Sequence, residues 1–488
     1  MNSESKRSYD IRDKFPKCDK YDIIVISASI IFALFFSLVS LYRLSVFDPQ
    51  YDTALFNQLF WNTIHSGEFL TNSFEGGSHL GVHFSPILLL ALPFYYLSSS
   101  AVTLFIIKSV LITLGVVPVY LCAREFIGSK HAWIVALIYF LYPVVQGLAY
   151  CDFYEISFFP FFGGMTLWAY LTKRNNLMLA CGCFCLLIKE DVTLFVCMLG
   201  MVGLYVNRTK PLKENWQFVL LVILSLLILL SFYFVVKPAF PLDHPDTSNR
   251  NLDQYKNISS NLSDHNVNRL SYLIQLFLPL LFIPLAALPV LAIGFPSFME
   301  ILLSPNPEYY YVGQHYSALI VPVVIMAFIM GLKRISPEKK SKSLITQKNL
   351  LLIVLGCSLI ATLLWSPVVP PMQYALHGGH IPTWQHSPVL HQVIDIIPGD
   401  VSVAAPMNIL VFLVNRHDVY MDYNPQADVI LLDSKLPEYA ENFQKHLKEI
   451  SERYQKVIDV DGTSVYVQND NPALIEKITK KFTDLSIS

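Results

Sequence analysis

From Ile23 to Tyr42 the chain carries no charged residue, and apolar runs like it return along most of its length. A run of about 18 residues or more is long enough to cross a bilayer. Within lipid, every backbone N–H and C=O must be satisfied inside the protein, so such runs become helices. Eleven spans are expected, at roughly 22–45, 101–122, 132–149, 155–172, 176–189, 192–207, 216–236, 271–286, 287–303, 316–332 and 349–367. Charged residues make up 15% of the chain, against about 25% in a soluble globular protein. The expected fold class is therefore an α-helical polytopic membrane protein. The first apolar run follows a charged lead and exceeds the roughly 7–15 apolar residues of a signal peptide, so it reads as an uncleaved span.

Lys and Arg set the orientation, because basic residues gather in cytoplasmic loops. Lys6, Arg7, Arg12, Lys14, Lys17 and Lys20 precede the first span. Arg124 and Lys130, Lys173 and Arg174, Arg208, Lys210 and Lys213, and Lys333 to Lys348 fall in alternate loops. Residues 1–21 are then a cytoplasmic tail, 22–367 the membrane domain and 372–488 an outside domain, in a multi-pass protein of the plasma membrane. No Lys or Arg occurs from Val46 to His83, which suits an outer loop. The outer loop 237–270 carries sequons at Asn257 and Asn261. His83 to Leu97 is apolar but too short to cross and contains Pro86 and Pro93, so it is expected to be an interfacial or re-entrant helix on the outer face.

Beyond Pro371 the composition is that of a soluble protein. Val401–Ala405, Val419–Met421, Asp428–Leu432 and Ser464–Val467 read as short buried strands, and Glu438–Tyr454 and Pro472–Phe482 as amphipathic helices. Alternating strands and helices predict a small α/β domain. Cys181, Cys183 and Cys185 invite a metal reading, but only the first and last share a helix face, so they read as core residues.

Four polar clusters fall on the expected outer side: Asp52, Asn57, Gln58, His79 and His83; Asp152, Tyr154 and Glu155; Lys189, Glu190 and Asp191; and Gln314, His315 and Tyr316. Lys108 adds a cation inside a span. Ionisable groups at membrane depth are costly, which makes them functional candidates. Each also has a plain structural reading: a paired turn for Lys189, snorkelling for Lys108, helix starts for Asp152 and Glu155, satisfied core histidines for His83 and His315. Walker A, G-x-G-x-x-G, H-E-x-x-H and G-x-S-x-G patterns are all missing, which rules against a P-loop pump and leaves a secondary transporter open. The net charge of −2 gives no sign of a nucleic-acid partner.

The ordered series Asp52-x-x-x-Phe56-Asn57-Gln58-x-x-Trp61-Asn62, His83-Phe84-Ser85-Pro86, Asp152-Phe153, Lys189-Glu190-Asp191, Leu302-Leu303-Ser304 and His315-Tyr316 resembles a family of predicted membrane proteins. It is the domain of unknown function two-zero-seven-nine, grouped with the GT-C glycosyltransferases. The resemblance covers roughly 22–435 and implies a GT-C-like fold of the cell envelope, an acid in the first outer loop, juxtamembrane helices after it, and a polyprenyl-phosphate-linked sugar donor drawn from membrane lipid. Asp52 matches the acidic position. Where an acid often precedes the Gln this chain has Asn57, and where His often follows Asp-Phe it has Tyr154, so a metal site would rest on Asp52, Asp152 and Glu155.

The favoured activity is sugar transfer from lipid phosphate to an acceptor at the outer face. Asp52 would be the base, with Lys189, His315 and then Lys108 binding the donor phosphate. Asp152, Glu155, Glu190, His83 and Gln58 would orient the acceptor or hold a metal, a divalent cation being the candidate cofactor. Asp52, Asp152, Lys189 and His315 are expected to line one outward-opening cavity. The alternatives are a secondary transporter or lipid-carrier flippase using Lys189-Glu190-Asp191, and a non-catalytic scaffold.

Overall fold

A computed structural model of the chain describes residues 19–48, 51–243, 264–336, 346–370, 386–436 and 441–485. Most of the N-terminal tail, both sequons and the link into the C-terminal domain lie outside the described residues. Six helices among them are long and apolar enough to cross a membrane: Lys20–Ser45 (α1), Ala101–Phe126, Trp216–Ala239, Ile283–Leu303, His315–Ile335 and Gln347–Trp365. Ser129–Phe140 and Pro143–Tyr150, a pair bent by 52°, make a seventh if the two cross as one. Pro143 opens the second half, where its missing N–H removes no bond.

The expected count of eleven is not reached by length. Phe159–Leu171, Asn175–Cys185, Val192–Val206 and Asn266–Phe277 are helices, but each falls short of the roughly 20 residues a crossing needs. Pro160 and Pro279 sit where two of them begin or end, and Lys189-Glu190-Asp191 breaks the apolar run between two others.

Ile320–Ile335 is the centre of the bundle, with Val321 to Ile329 buried throughout. Trp216–Ser231 and Gln347–Trp365 are peripheral and expose Leu226, Leu227, Leu230, Leu359, Leu363 and Leu364, the surface that lipid would cover. The 83–97 segment forms a 3-10 turn, Pro86–Leu90, and one short helix, Leu92–Leu97. It buries Ile87, Leu88, Ala91 and Tyr95 and exposes Leu89, Leu90, Phe94, Tyr96 and Leu97. An apolar helix too short to cross with an exposed apolar face is built for the interface.

Between these elements lie the helix Tyr51–Trp61 (α2), which carries Asp52, and a small hairpin of β1 (Thr71–Asn72) and β2 (Gly77–Ser78). The C-terminal domain is a mixed five-stranded sheet of β3 (Val403–Ala404), β4 (Val419–Tyr420), β5 (Val429–Asp433), β6 (Tyr454–Val460) and β7 (Thr463–Gln468), in the order β4-β3-β5-β7-β6. β3 runs parallel to β4 and β5, and β7 runs antiparallel to β5 and β6. Asp461 and Gly462, both at positive φ, make the two-residue turn joining β6 to β7. β6 corrects the sequence reading, which carried a helix to Tyr454. Helices Glu441–Lys445 and Leu447–Arg453 stop short of it.

The domain is not a loose appendage. Leu44, Phe47, Ala54, Ala101 and Phe105 of the membrane part share one buried apolar cluster with Leu390, Val393, Ile394, Ile409 and Leu413. Inside the bundle, a Cβ added at Gly147 would meet Val312 O at 1.9 Å. Gly147→Ala is therefore expected to destabilise by about 1–3 kcal/mol through overpacking. At Gly356 nothing lies within 4 Å, so Gly356→Ala should leave the midpoint level or slightly higher. Thermal unfolding of both variants in detergent checks the contrast.

Candidate active site

The first amides of α2 are satisfied from the bundle. Asp152 Oδ2 accepts from the backbone N–H of Asp52 at 3.0 Å and of Thr53 at 3.3 Å. The backbone N–H of Phe153 in turn donates to Thr53 Oγ1 at 3.1 Å. A carboxylate at a helix N-terminus is favoured by both hydrogen bonds and the helix dipole. Two cations stand behind it. Arg43 pairs with Asp48 and donates to the Tyr150 carbonyl at 2.6 Å. Lys108 is fully buried and donates to Ser40 Oγ at 3.2 Å and to the Cys151 carbonyl. Burial raises the Asp152 carboxyl, while Arg43 and Lys108 pull it the other way.

Asp52 is half-buried and accepts a hydrogen bond from the Tyr154 hydroxyl. Burial pushes its carboxyl up to about 7, the Asp152 charge adds to the rise, and Tyr154 opposes it. Two acids in one field resist ionising together. Tyr154 also stacks on His315, with ring centroids 3.6 Å apart. His315 lines a cavity of about 40 Å³ together with Lys189, Asp191, Glu300, Tyr309 and Tyr316.

Lys189 Nζ lies 3.6 Å from Glu155 Oε1 and 4.0 Å from Asp191 Oδ2. Burial works against its charge, but the carboxylates of Asp191, Glu155 and Glu190 overrule that and hold it protonated. Burial lifts Asp191 to about 6 against the pull of Lys189. Glu190 turns away, accepting from His83 Nδ1 at 2.7 Å and Phe84 N at 3.0 Å. Burial pushes it up, yet His83, Lys189 and the Phe84 amide bring it down to about 2. Beside His83, with ring centroids 5.5 Å apart, is His79, whose Nδ1 lies 2.9 Å from Glu75 Oε1. Burial opposes both charges of that pair, and each partner overrules it for the other, lowering Glu75 and raising His79.

The candidates thus form two adjoining groups. Asp52, Asp152 and Tyr154 make one; Lys189, His315, Glu155 and Asp191 make the other; the Tyr154–His315 stack joins them. Of the four residues expected to line one cavity, Lys189 and His315 do, whereas Asp52 and Asp152 lie behind Tyr154. Lys108 faces the bundle backbone. Gln58 points to the C-terminal domain, its amide fully engaged. Glu75 was missed, although an acid four residues before His79 in a stretch without Lys or Arg was a visible signal. Among the described residues no group of three or more His, Cys, Asp or Glu could hold a metal ion. The acids proposed for one are otherwise engaged, Asp152 on amides and Glu155 on Lys189, so no step is routed through a metal.

Asp152→Asn keeps an acceptor for the α2 amides and removes the neighbouring charge. The Asp52 ionisation is expected to move down from about 7 towards the ordinary carboxylate range. An infrared pH titration of the protonated-carboxyl band would show it.

No curated protein matches the sequence. The structure is similar to that of ArnT from Cupriavidus metallidurans bound to undecaprenyl phosphate, with a TM-score of 0.60 and 13% identity over 90% of this chain and 97% of that one. The apo state of the same ArnT aligns at a TM-score of 0.54 and 13% identity, over 90% of this chain and 98% of that one. At such identity the likeness is one of fold. Residues 41–459 match the model of the predicted membrane proteins DUF2079, and the chain belongs to that family.

Proposed function

We propose that this protein is a GT-C-type membrane glycosyltransferase, moving a sugar from a polyprenyl-phosphate donor to an acceptor hydroxyl at the outer membrane face. One arrangement carries the reading. Tyr154 donates to the Asp52 carboxyl and stacks on His315, which lines a cavity with Lys189. The fold likeness to ArnT bound to undecaprenyl phosphate supports the lipid donor.

In the reaction the acceptor oxygen forms a bond to the anomeric carbon as the bond from that carbon to the phosphate oxygen breaks. The bonding pair leaves with the lipid phosphate, and the configuration inverts. Asp52 takes the acceptor proton, a contribution of typically about 10²–10⁴-fold. A base near the working pH is both ionised often enough and basic enough for this role. Negative charge builds on the leaving phosphate and needs a preorganised cation or donor. Lys189 is the cation at the cavity, and His315 Nδ1 has no hydrogen-bond partner among the described residues.

The reading keeps eleven crossings, the shorter helices included, with the N-terminus cytoplasmic and the C-terminal domain outside beside Asp52. Cysteine labelling of Ser3→Cys and Ser488→Cys variants checks it: the first should react only from the cytoplasm and the second only from outside. Labelling of both from one side would overturn the topology and the outer-face site.

Purified protein given polyprenyl-phosphate sugars should release lipid phosphate. Asp52→Asn should cut turnover by about 10² or more with the fold intact. Because the base must be ionised, the wild-type rate should fall as pH drops below about 7 and level off above it. Lys189→Met should lower turnover and weaken donor binding. Full turnover by Asp52→Asn would remove it as the base. The break at Lys189-Glu190-Asp191 between two apolar helices also suits a transporter site. That reading expects changes there to abolish uptake while Asp52→Asn is tolerated.

A further inference from the structure

α2 is held from two sides. Asp152 holds its N-terminus from the bundle, and the C-terminal domain holds it further along. Gln58 is fully buried there. Its Nε2 donates to the carbonyls of Arg416 at 3.1 Å and His417 at 2.9 Å and to Ser73 Oγ at 3.0 Å, and its Oε1 accepts from Ser73 N at 2.9 Å. Next to it Asn57 Nδ2 donates to Asn415 Oδ1 at 3.3 Å, and Asn415 Nδ2 donates to the Ser99 carbonyl at 3.0 Å. Ser66 Oγ meets His417 Nε2 at 3.2 Å just past the end of α2.

The loop that makes these contacts is itself stiff. Arg416 is buried and donates to the carbonyls of Leu413, Pro398 and Val401, all within its own domain. Ala54 of α2 sits in the same apolar cluster as Ile409, Leu410 and Leu413. A side-chain amide whose two N–H groups and carbonyl oxygen are all engaged fixes direction as well as distance, and leaving any of these buried groups unpaired would be costly.

We propose that the Asn415–His417 loop of the C-terminal domain fixes the rotation of α2 about its own axis and thereby positions Asp52 against Tyr154. Gln58 and Asn415 are the positioning residues. Gln58 lies about 240° further round the helix than Asp52 at 3.6 residues per turn, so the loop grips a face away from the site. Side-chain tips lie about 5–6 Å from a helix axis. A rotation of about 10° would therefore move the Asp52 carboxylate by about 1 Å, a displacement that can cost about 10²-fold in rate. The consequence for rate rests on the reading of Asp52 as the base, whereas the clamp does not.

The test uses the full chain in lipid nanodiscs, with Gln58→Met, Asn415→Ala and, as a control on a distant surface, Lys477→Ala. Asn415 is exposed, so its variant keeps the proposal testable if Gln58→Met fails to fold. Hydrogen exchange of peptides covering residues 51–61 reads the clamp without turnover, and lipid-phosphate release reads the site. Both α2-loop variants should speed exchange about 10-fold or more and lower kcat about 10-fold or more, with donor KM within about twofold and the control unchanged. Unchanged exchange overturns the clamp. Faster exchange with wild-type kcat overturns the positioning of Asp52. Faster exchange in a protein whose wild type never releases lipid phosphate supports the clamp and overturns the transferase reading instead.

Discussion

The hydrogen bonds from the first amides of α2 to Asp152 are the interaction on which the rest of the site depends. They tie α2 to a turn between apolar helices far away in sequence. Asp152 can stay there because Arg43 and Lys108 lie behind it, each already bonded to a backbone carbonyl of the same turn. The arrangement fixes where Asp52 stands and also sets its chemistry, since a second carboxylate alongside makes its own ionisation harder. One contact thus serves as a helix cap, an interlock between segments and a pKa device. Tyr154 follows Asp152 by two positions and reaches both Asp52 and His315, so the same short turn links the acid pair to the cavity.

Much of this was legible in the sequence, for physical reasons that differ by element. Apolar runs must be helical in lipid, so the membrane class and most helix positions followed directly, as did the broken, short form of the 83–97 segment with its prolines. Six helices and one bent pair reach the length of a crossing, whereas Phe159–Leu171 and its short neighbours end earlier than the hydropathy pattern shows. In the C-terminal domain, Ser464–Val467 alternates cleanly and was recognised. β6 was not, because a bulge between Lys456 and Ile458 shifts its register and spoils the alternation that marks a strand.

Asp52, Asp152, Lys189 and His315 stand out in the sequence because ionisable groups next to apolar runs demand a reason, and the structure sets them in two adjoining groups. Their division into two groups was hidden, since only the folded chain shows Tyr154 standing between them. Sequence marked Tyr154 as a departure from a family pattern, and the structure makes it the donor to Asp52. Gln58 was read as facing a ligand and instead faces Arg416 and His417, residues of a domain that no local pattern connects to α2.

Lys108 carries a consequence for how the protein is made. Its helix is made before the carbonyl that accepts from it, and an ammonium within a span costs up to about 2.5–3.5 kcal/mol on insertion scales. Ser40, one of its two partners, has already been synthesised by then, whereas the Cys151 carbonyl lies 43 residues further on. Until the bent pair Ser129–Tyr150 has been added, this helix has a charge without its main acceptor. Settling this helix in a bilayer would therefore depend on residues made later, and a chain truncated before Cys151 would hold a buried cation with Ser40 but without that carbonyl.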